Sequence, residues 1–100
     1  MPFARIALPV PLHRYFDYIL PASMKVVAGA RVLVPFGTQK RVGVVVDVVE
    51  QTDVPEEQLK PVLACLDDTS LFSPKSWQFL NWAANYYHAP LGEVLSQALP

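Results

Sequence analysis

The sequence is poor in the residues that most small-domain chemistries need. It has a single cysteine, Cys65, so no disulfide can form within the chain and no zinc knuckle can be built. Cys65 stands in the apolar run Val62-Leu63-Ala64-Cys65-Leu66 and reads as a buried core thiol, consistent with a reducing, cytoplasmic setting. The four glycines are scattered at Gly29, Gly37, Gly43 and Gly92, which excludes a phosphate-cradling glycine loop. The two histidines, His13 and His88, have no ligand partner at metal-binding spacing. His13 is expected in a solvated proline-rich turn, and His88 at a helix end where a cation suits the dipole. Charged residues make up only 17% of the chain, and no apolar run approaches the ~18 residues of a membrane span. The segment from Met1 to Arg5 lacks the form of a signal peptide. Ser70, Ser73 and Ser76 read as loop and cap residues, and the carboxylate pairs Glu56-Glu57 and Asp67-Asp68 as solvated surface. No catalytic residue is expected, and none that binds a metal.

What is abundant is apolar surface. At 52% the hydrophobic fraction exceeds the usual level for soluble domains. One hundred residues build one domain with one core, so the excess points to a surface covered by something else, such as a further domain. The apolar helix face also runs to Leu99 without a polar tail, which fits a piece of a larger protein. The charges are segregated. Residues 1–46 carry six basic side chains (Arg5, Arg14, Lys25, Arg31, Lys40 and Arg41) against Asp17 alone, a net +5; residues 47–100 carry a net −6. Such a split points to a nucleic-acid contact in the first half, or more simply to a solvated basic face.

The first two thirds alternate strand-forming runs with turns. Phe3–Leu8, Tyr15–Leu20, Arg31–Phe36, Arg41–Val49 and Val62–Leu66 are rich in β-branched and aromatic residues. The short loop around Gly37 predicts a hairpin between the third and fourth. The last third has helical periodicity. Ser73 and Pro74 are suited to cap and open a helix carrying Trp77, Leu80, Ala84 and Tyr87, with a narrow polar stripe of Gln78, Asn81, Asn85 and His88. A helix so apolar is expected to be buried on two sides. Pro90 opens a second helix with Leu91, Val94, Leu95, Ala98 and Leu99 on one face. The expected fold is α+β: a small, mainly-β, barrel-like (OB-like) unit of five to six strands over residues 1–66, then two helices over residues 70–100. The acidic stretch Glu50–Lys60 reads as a solvated loop or a short helical turn.

One position breaks the local rules. Alternation puts Phe16, Tyr18 and Leu20 on one face of the second strand and Asp17 on the other, among large apolar neighbours. A carboxylate there needs hydrogen-bond donors or a solvated pocket. It either accepts backbone N–H bonds at a bend or forms the floor of a ligand pocket, with neighbouring aromatics able to stack on a base. Gly37 supplies either a positive φ or room for a close approach. Lys60 is either surface or a phosphate contact.

The ordered segments Ala7-Leu-Pro-Val-Pro-Leu12, Tyr15-Phe-Asp-Tyr18, Arg31-Val-Leu-Val-Pro-Phe-Gly37, Leu59-Lys-Pro-Val62, Ala83-Ala-Asn-Tyr-Tyr-His88 and Pro90-Leu-Gly92 span essentially the whole chain. Each is weak alone, but as a set the chain resembles the N-terminal domain of the bacterial primosomal replication-restart helicases, the PriA family. The resemblance implies a domain, residues 1–100, that holds the 3′-hydroxyl end of a DNA strand at a fork without base specificity. Its pocket residues would be Phe16, Asp17, Gly37 and Lys60. It further implies that ATP, Mg and zinc serve other domains of a 3′-to-5′ helicase and that this domain holds no cofactor. The partners implied are forked DNA, those other domains and primosome proteins, with no membrane. Two rival readings are a protein-docking barrel and a general single-strand binder; an enzyme completed by another chain is the third.

Overall fold

A computed structural model describes residues 1–99. Five strands, β1 (Phe3–Ala7), β2 (Phe16–Ile19), β3 (Arg31–Phe36), β4 (Gln39–Val49) and β5 (Ala64–Cys65), form one antiparallel sheet. They are followed by helices α1 (Pro74–Tyr86) and α2 (Leu91–Ala98). The sheet order is β2-β1-β4-β3-β5. This is the expected strands-then-helices arrangement, but the sheet is not closed into a barrel. β2 and β5 lie at opposite ends of the sheet, and the chain leading into β5 touches β2 through a single bridge. There Ile19 donates its N–H to the Lys60 carbonyl at 2.9 Å, and Val62 donates to the Ile19 carbonyl at 3.0 Å. A two-residue β5 is too short to continue the ladder onto β2.

The sheet has apolar residues on both faces because its longest strand is apolar at consecutive positions, which alternation sends to opposite faces. Between Arg5 and Ile6 the β1–β4 register slips, from Arg5 opposite Asp47 to Ile6 opposite Val45. A bulge of this kind bends the strand and re-aims its side chains. Consecutive Val44 and Val45 are both buried, in different clusters. Val45 joins Ile6, Tyr18, Val32, Val34 and Val62 inside the curl of the sheet. Val44 joins Ala7, Phe72 and Leu95 under the helices. Leu95, with no exposed surface, carries the apolar face of α2 into that second cluster.

The first helix begins as its sequence predicts. The Ser73 hydroxyl accepts from the Ser76 N–H at 3.1 Å, and Pro74 takes the first helical position. Its burial departs from expectation. Phe79, Trp82 and Tyr86 are 61%, 54% and 67% exposed and stack along one outer face, with Trp82 and Tyr86 ring centroids 5.0 Å apart. Amphipathicity says which residues resemble core, but not how many neighbouring elements exist to cover them. Cys65 is only half-buried; its thiol donates to the Asp67 carbonyl. Asp67 is not merely solvated surface: Arg31 grips it with Nε and Nη2, each 3.0 Å from a carboxylate oxygen. No described helix is long and apolar enough to cross a membrane.

Candidate nucleic-acid interface

Phe16, Asp17, Gly37 and Lys60 come from three separate segments, and the fold brings all four to the lining of one cavity of about 200 Å³. Adjacent residues of a strand point to opposite faces, so a cavity reaching both Phe16 and Asp17 lies across the β2 edge of the sheet. The segment Lys60–Val62 covers that edge at Ile19 and stops short of Phe16.

Each wall has a local cause. The tight hairpin of β3 and β4 is closed by Gly37 and Thr38, with Phe36 opposite Gln39. Gly37 has φ +61°, and an added Cβ would meet nothing within 4 Å. The backbone conformation therefore requires this glycine, as at the first central position of a type II′ turn. Tyr18 ties the hairpin to β2: its buried hydroxyl donates to the Pro35 carbonyl at 2.8 Å, and burial raises its pKa. Phe36 meets Phe16 edge-on at 5.3 Å between centroids. The acidic stretch forms a single 3₁₀ turn, Glu56–Gln58, and brings Val54, Gln58 and the exposed Lys60 to the opposite side. Lys60 is set in place through its backbone carbonyl, which Ile19 holds.

The carboxylate at the centre finds donors, but not the backbone donors that a bend would have offered. Arg5 lies directly opposite Asp17 in the β1–β2 register. Its Nε donates to Oδ1 at 3.0 Å and its Nη2 to Oδ2 at 3.1 Å. The Thr52 hydroxyl donates to Oδ2 at 2.6 Å, anchoring the acidic loop as it does so. The Asp17 side chain is only 8% exposed. Burial alone would raise its pKa, but the hydrogen bonds from Arg5 and Thr52 and the Arg5 charge outweigh it, and the carboxyl lies below its ordinary value. Asp17 is therefore an ionised, acceptor-only group at neutral pH. A carboxylate offers about four acceptor positions. Three are filled here, leaving one on Oδ1.

Arg14 was not among the expected pocket residues, yet it lines the cavity and sets its guanidinium 4.5 Å from the centre of the Phe16 ring. Arg5 and Thr52 were also missed. The signal for Arg5 was present but unread: β1 and β2 each carry one charge, of opposite sign, but only the strand register shows that they face each other. Of the six basic residues in the first half, Arg5 and Arg31 are engaged in ion pairs. Arg14 and the hairpin residues Lys40 and Arg41 form none among the described residues, nor does Lys60. The cavity is thus small, aromatic on one side, basic at its rim and floored by a paired carboxylate. It is below the ~300–1,000 Å³ usual for cofactor-sized ligands, and suits part of one nucleotide. No group of three or more His, Cys, Asp or Glu side chains able to hold a metal occurs among the described residues.

The family model described as "3′DNA-binding domain (3′BD)" of PriA matches residues 5–100. The chain belongs to the PriA 3′BD family. Over all 100 residues it is 56% identical to the replication restart protein PriA of Haemophilus influenzae, of which it covers 14%. It is 32% identical to the PriA of Buchnera aphidicola subsp. Acyrthosiphon pisum, again over the whole chain and 14% of that protein. With the PriA of Synechocystis sp. it shares 33% identity over 102 residues, 99% of this chain and 12% of that protein. The 3′BD family is one of DNA-binding domains rather than of catalytic ones, and the chain spans about one seventh of the length of these relatives.

Proposed function

We propose that the domain captures the 3′-hydroxyl end of a single DNA strand in the β2-edge cavity, without reading its base, and so directs a replication-restart helicase to the nascent leading strand of a stalled fork. The observation that carries this reading is Asp17: an ionised carboxylate, held by Arg5 and Thr52, with one acceptor position left in a cavity the size of part of a nucleotide. A free 3′-hydroxyl, or a base amine, has a hydrogen to give it. A terminal phosphate in the same place is mostly dianionic at neutral pH, has little hydrogen to give and is repelled. Phe16 supports the terminal base, and Lys60 takes the phosphate on its 5′ side. Gly37 leaves the hairpin backbone open to the ligand, since no described residue other than its chain neighbours comes within 4 Å of where its Cβ would stand. Stacking and a single polar contact tolerate all four bases, as fork ends require.

With Arg14 and Lys60 as the unpaired cations of the cavity, at most two phosphates are neutralised. The salt dependence of binding should then have a log–log slope of about −0.7 to −1.4. Affinity is expected to be weak in isolation and to rise by tethering to the rest of the protein. ATP, Mg and zinc belong, on this proposal, to the helicase domains outside this chain. The exposed aromatic face of α1 supports a second role, docking to those domains or to primosome proteins. The test is fluorescence anisotropy with short 5′-labelled oligonucleotides ending in 3′-hydroxyl or 3′-phosphate. Tighter binding of the hydroxyl end is expected; equal binding would make the domain a general strand binder or a docking module.

A further inference from the structure

A second cleft, of about 340 Å³, adjoins the first. Arg14 lines both. One wall is the loop before β2, with His13, Arg14 and Tyr15; the other is the polar stripe of α1, where Asn81, Asn85 and His88 face it. The stripe therefore has a cleft to look into, rather than open solvent. The two histidines, expected in a solvated turn and at a helix end, stack on each other across the cleft, with centroids 4.5 Å apart and planes 18° from parallel.

Two observations point to a ligand. The lining is rich in donors and contains no carboxylate, in a chain with nine of them. His88 has φ +54°, the one non-glycine residue with positive φ among those described. It follows the helix C-cap Tyr87, and the bonds from the His88 N–H to Asn85 and the Ala89 N–H to Ala84 make a Schellman ending. Glycine is the usual occupant of that position, and a residue held in an uncommon conformation is a pointer to function. Here the strained backbone aims the imidazole at His13 and the cleft mouth.

We infer that this cleft is a backbone-phosphate subsite for the single strand whose end occupies the first cavity, an inference that rests on the 3′-end reading. The strand leaves the terminal-nucleotide cavity past Arg14, and its next phosphates meet His13, Asn85 and His88. Arginine, asparagine and tyrosine are among the usual phosphate contacts, and an imidazole N–H donates equally well. None of them reads a base, which preserves indifference to sequence.

The experiment measures affinity of the 100-residue chain for 5′-labelled oligothymidylates of two and six nucleotides, each with a 3′-hydroxyl or a 3′-phosphate. The proteins compared are wild type, His88→Gly and His13→Ala. Glycine suits the left-handed position, so His88→Gly should melt no lower than wild type; His13→Ala changes a loop residue and serves as the independent variant. The six-nucleotide strand should bind wild type roughly tenfold tighter than the dinucleotide, the worth of one hydrogen bond to a charged group. Both variants should lose that gain while keeping the affinity for the dinucleotide and its preference for the hydroxyl end. No gain with length in wild type, or a gain that survives both substitutions, would overturn the subsite. A histidine-dependent gain without any end preference would overturn the 3′-end reading and uphold the cleft.

Discussion

Replacing Asp17 by asparagine keeps the shape of the side chain and removes its charge. Its effect on end discrimination can be worked from the geometry. A terminal phosphate at about 4 Å from the carboxylate is repelled by about 4 kcal/mol at an effective dielectric of 20. Arg5 bonds the same carboxylate from the sheet side. At about 7 Å from that phosphate it returns about 2.4 kcal/mol. The net penalty is about 1.6 kcal/mol per unit of phosphate charge, which is roughly a fifteenfold preference for a 3′-hydroxyl end. This is well below what an unpaired carboxylate would give, because Arg5 offsets more than half of the repulsion. In Asp17→Asn the repulsion vanishes and the Arg5 attraction remains, so the preference should fall to about one or reverse. The assay is anisotropy with the two end chemistries, at low salt so that screening does not hide the difference, with circular dichroism to establish that the variant is folded. A preference of that size unchanged in Asp17→Asn would refute the carboxylate mechanism even with the end specificity intact.

Other consequences are independent of DNA specificity. Gly37→Ala forces a Cβ into a backbone conformation that favours glycine, so it should cost about 1–3 kcal/mol, at roughly 4–8 °C in Tm per kcal/mol for a domain of this size. Gly92→Ala should be far worse than an ordinary helix substitution, because its Cβ would overlap the Leu8 backbone carbonyl; α2 must shift off the sheet, at a cost of about 3 kcal/mol by the scale of overpacked cores, measurable by urea unfolding. Asp17 and Asp67 both have pKa values lowered by their arginine partners. The folded state therefore gains from their ionisation above the unfolded carboxyl value of about 4, and that gain is lost as pH falls through the lower folded values. Acid unfolding of the Asp17→Asn and Asp67→Asn variants should accordingly depend less steeply on pH below about 4 than that of wild type.

Much of the local structure was legible in the order of residues. Strand β3 runs from Arg31 to Phe36 as its composition predicts, and the Ser73-Pro74 cap starts α1 where expected. The glycine of the hairpin and the anomaly of a carboxylate within β2 were also visible, because turn chemistry and alternation act over a few residues. The four candidate residues could be named for the same reason, with the family resemblance joining them into one set.

What the order of residues did not decide was who meets whom. Asp17 finds Arg5 through the β1–β2 register and Thr52 through the docking of a distant loop. Both are long-range pairings that no local pattern encodes. His13 and His88, far apart in the chain, stack only because the loop before β2 folds against the end of α1. The exposed aromatics of α1 make the same point in reverse. Their periodicity dictated a helix with an apolar face, but covering that face depends on which elements the tertiary structure supplies, and among the described residues none covers Phe79, Trp82 and Tyr86. Sequence thus determined the elements and their chemistry, since propensity and capping are local. The tertiary structure alone decided the pairing of charges, the joining of the clefts and the exposure of apolar surface, since these depend on packing between distant segments.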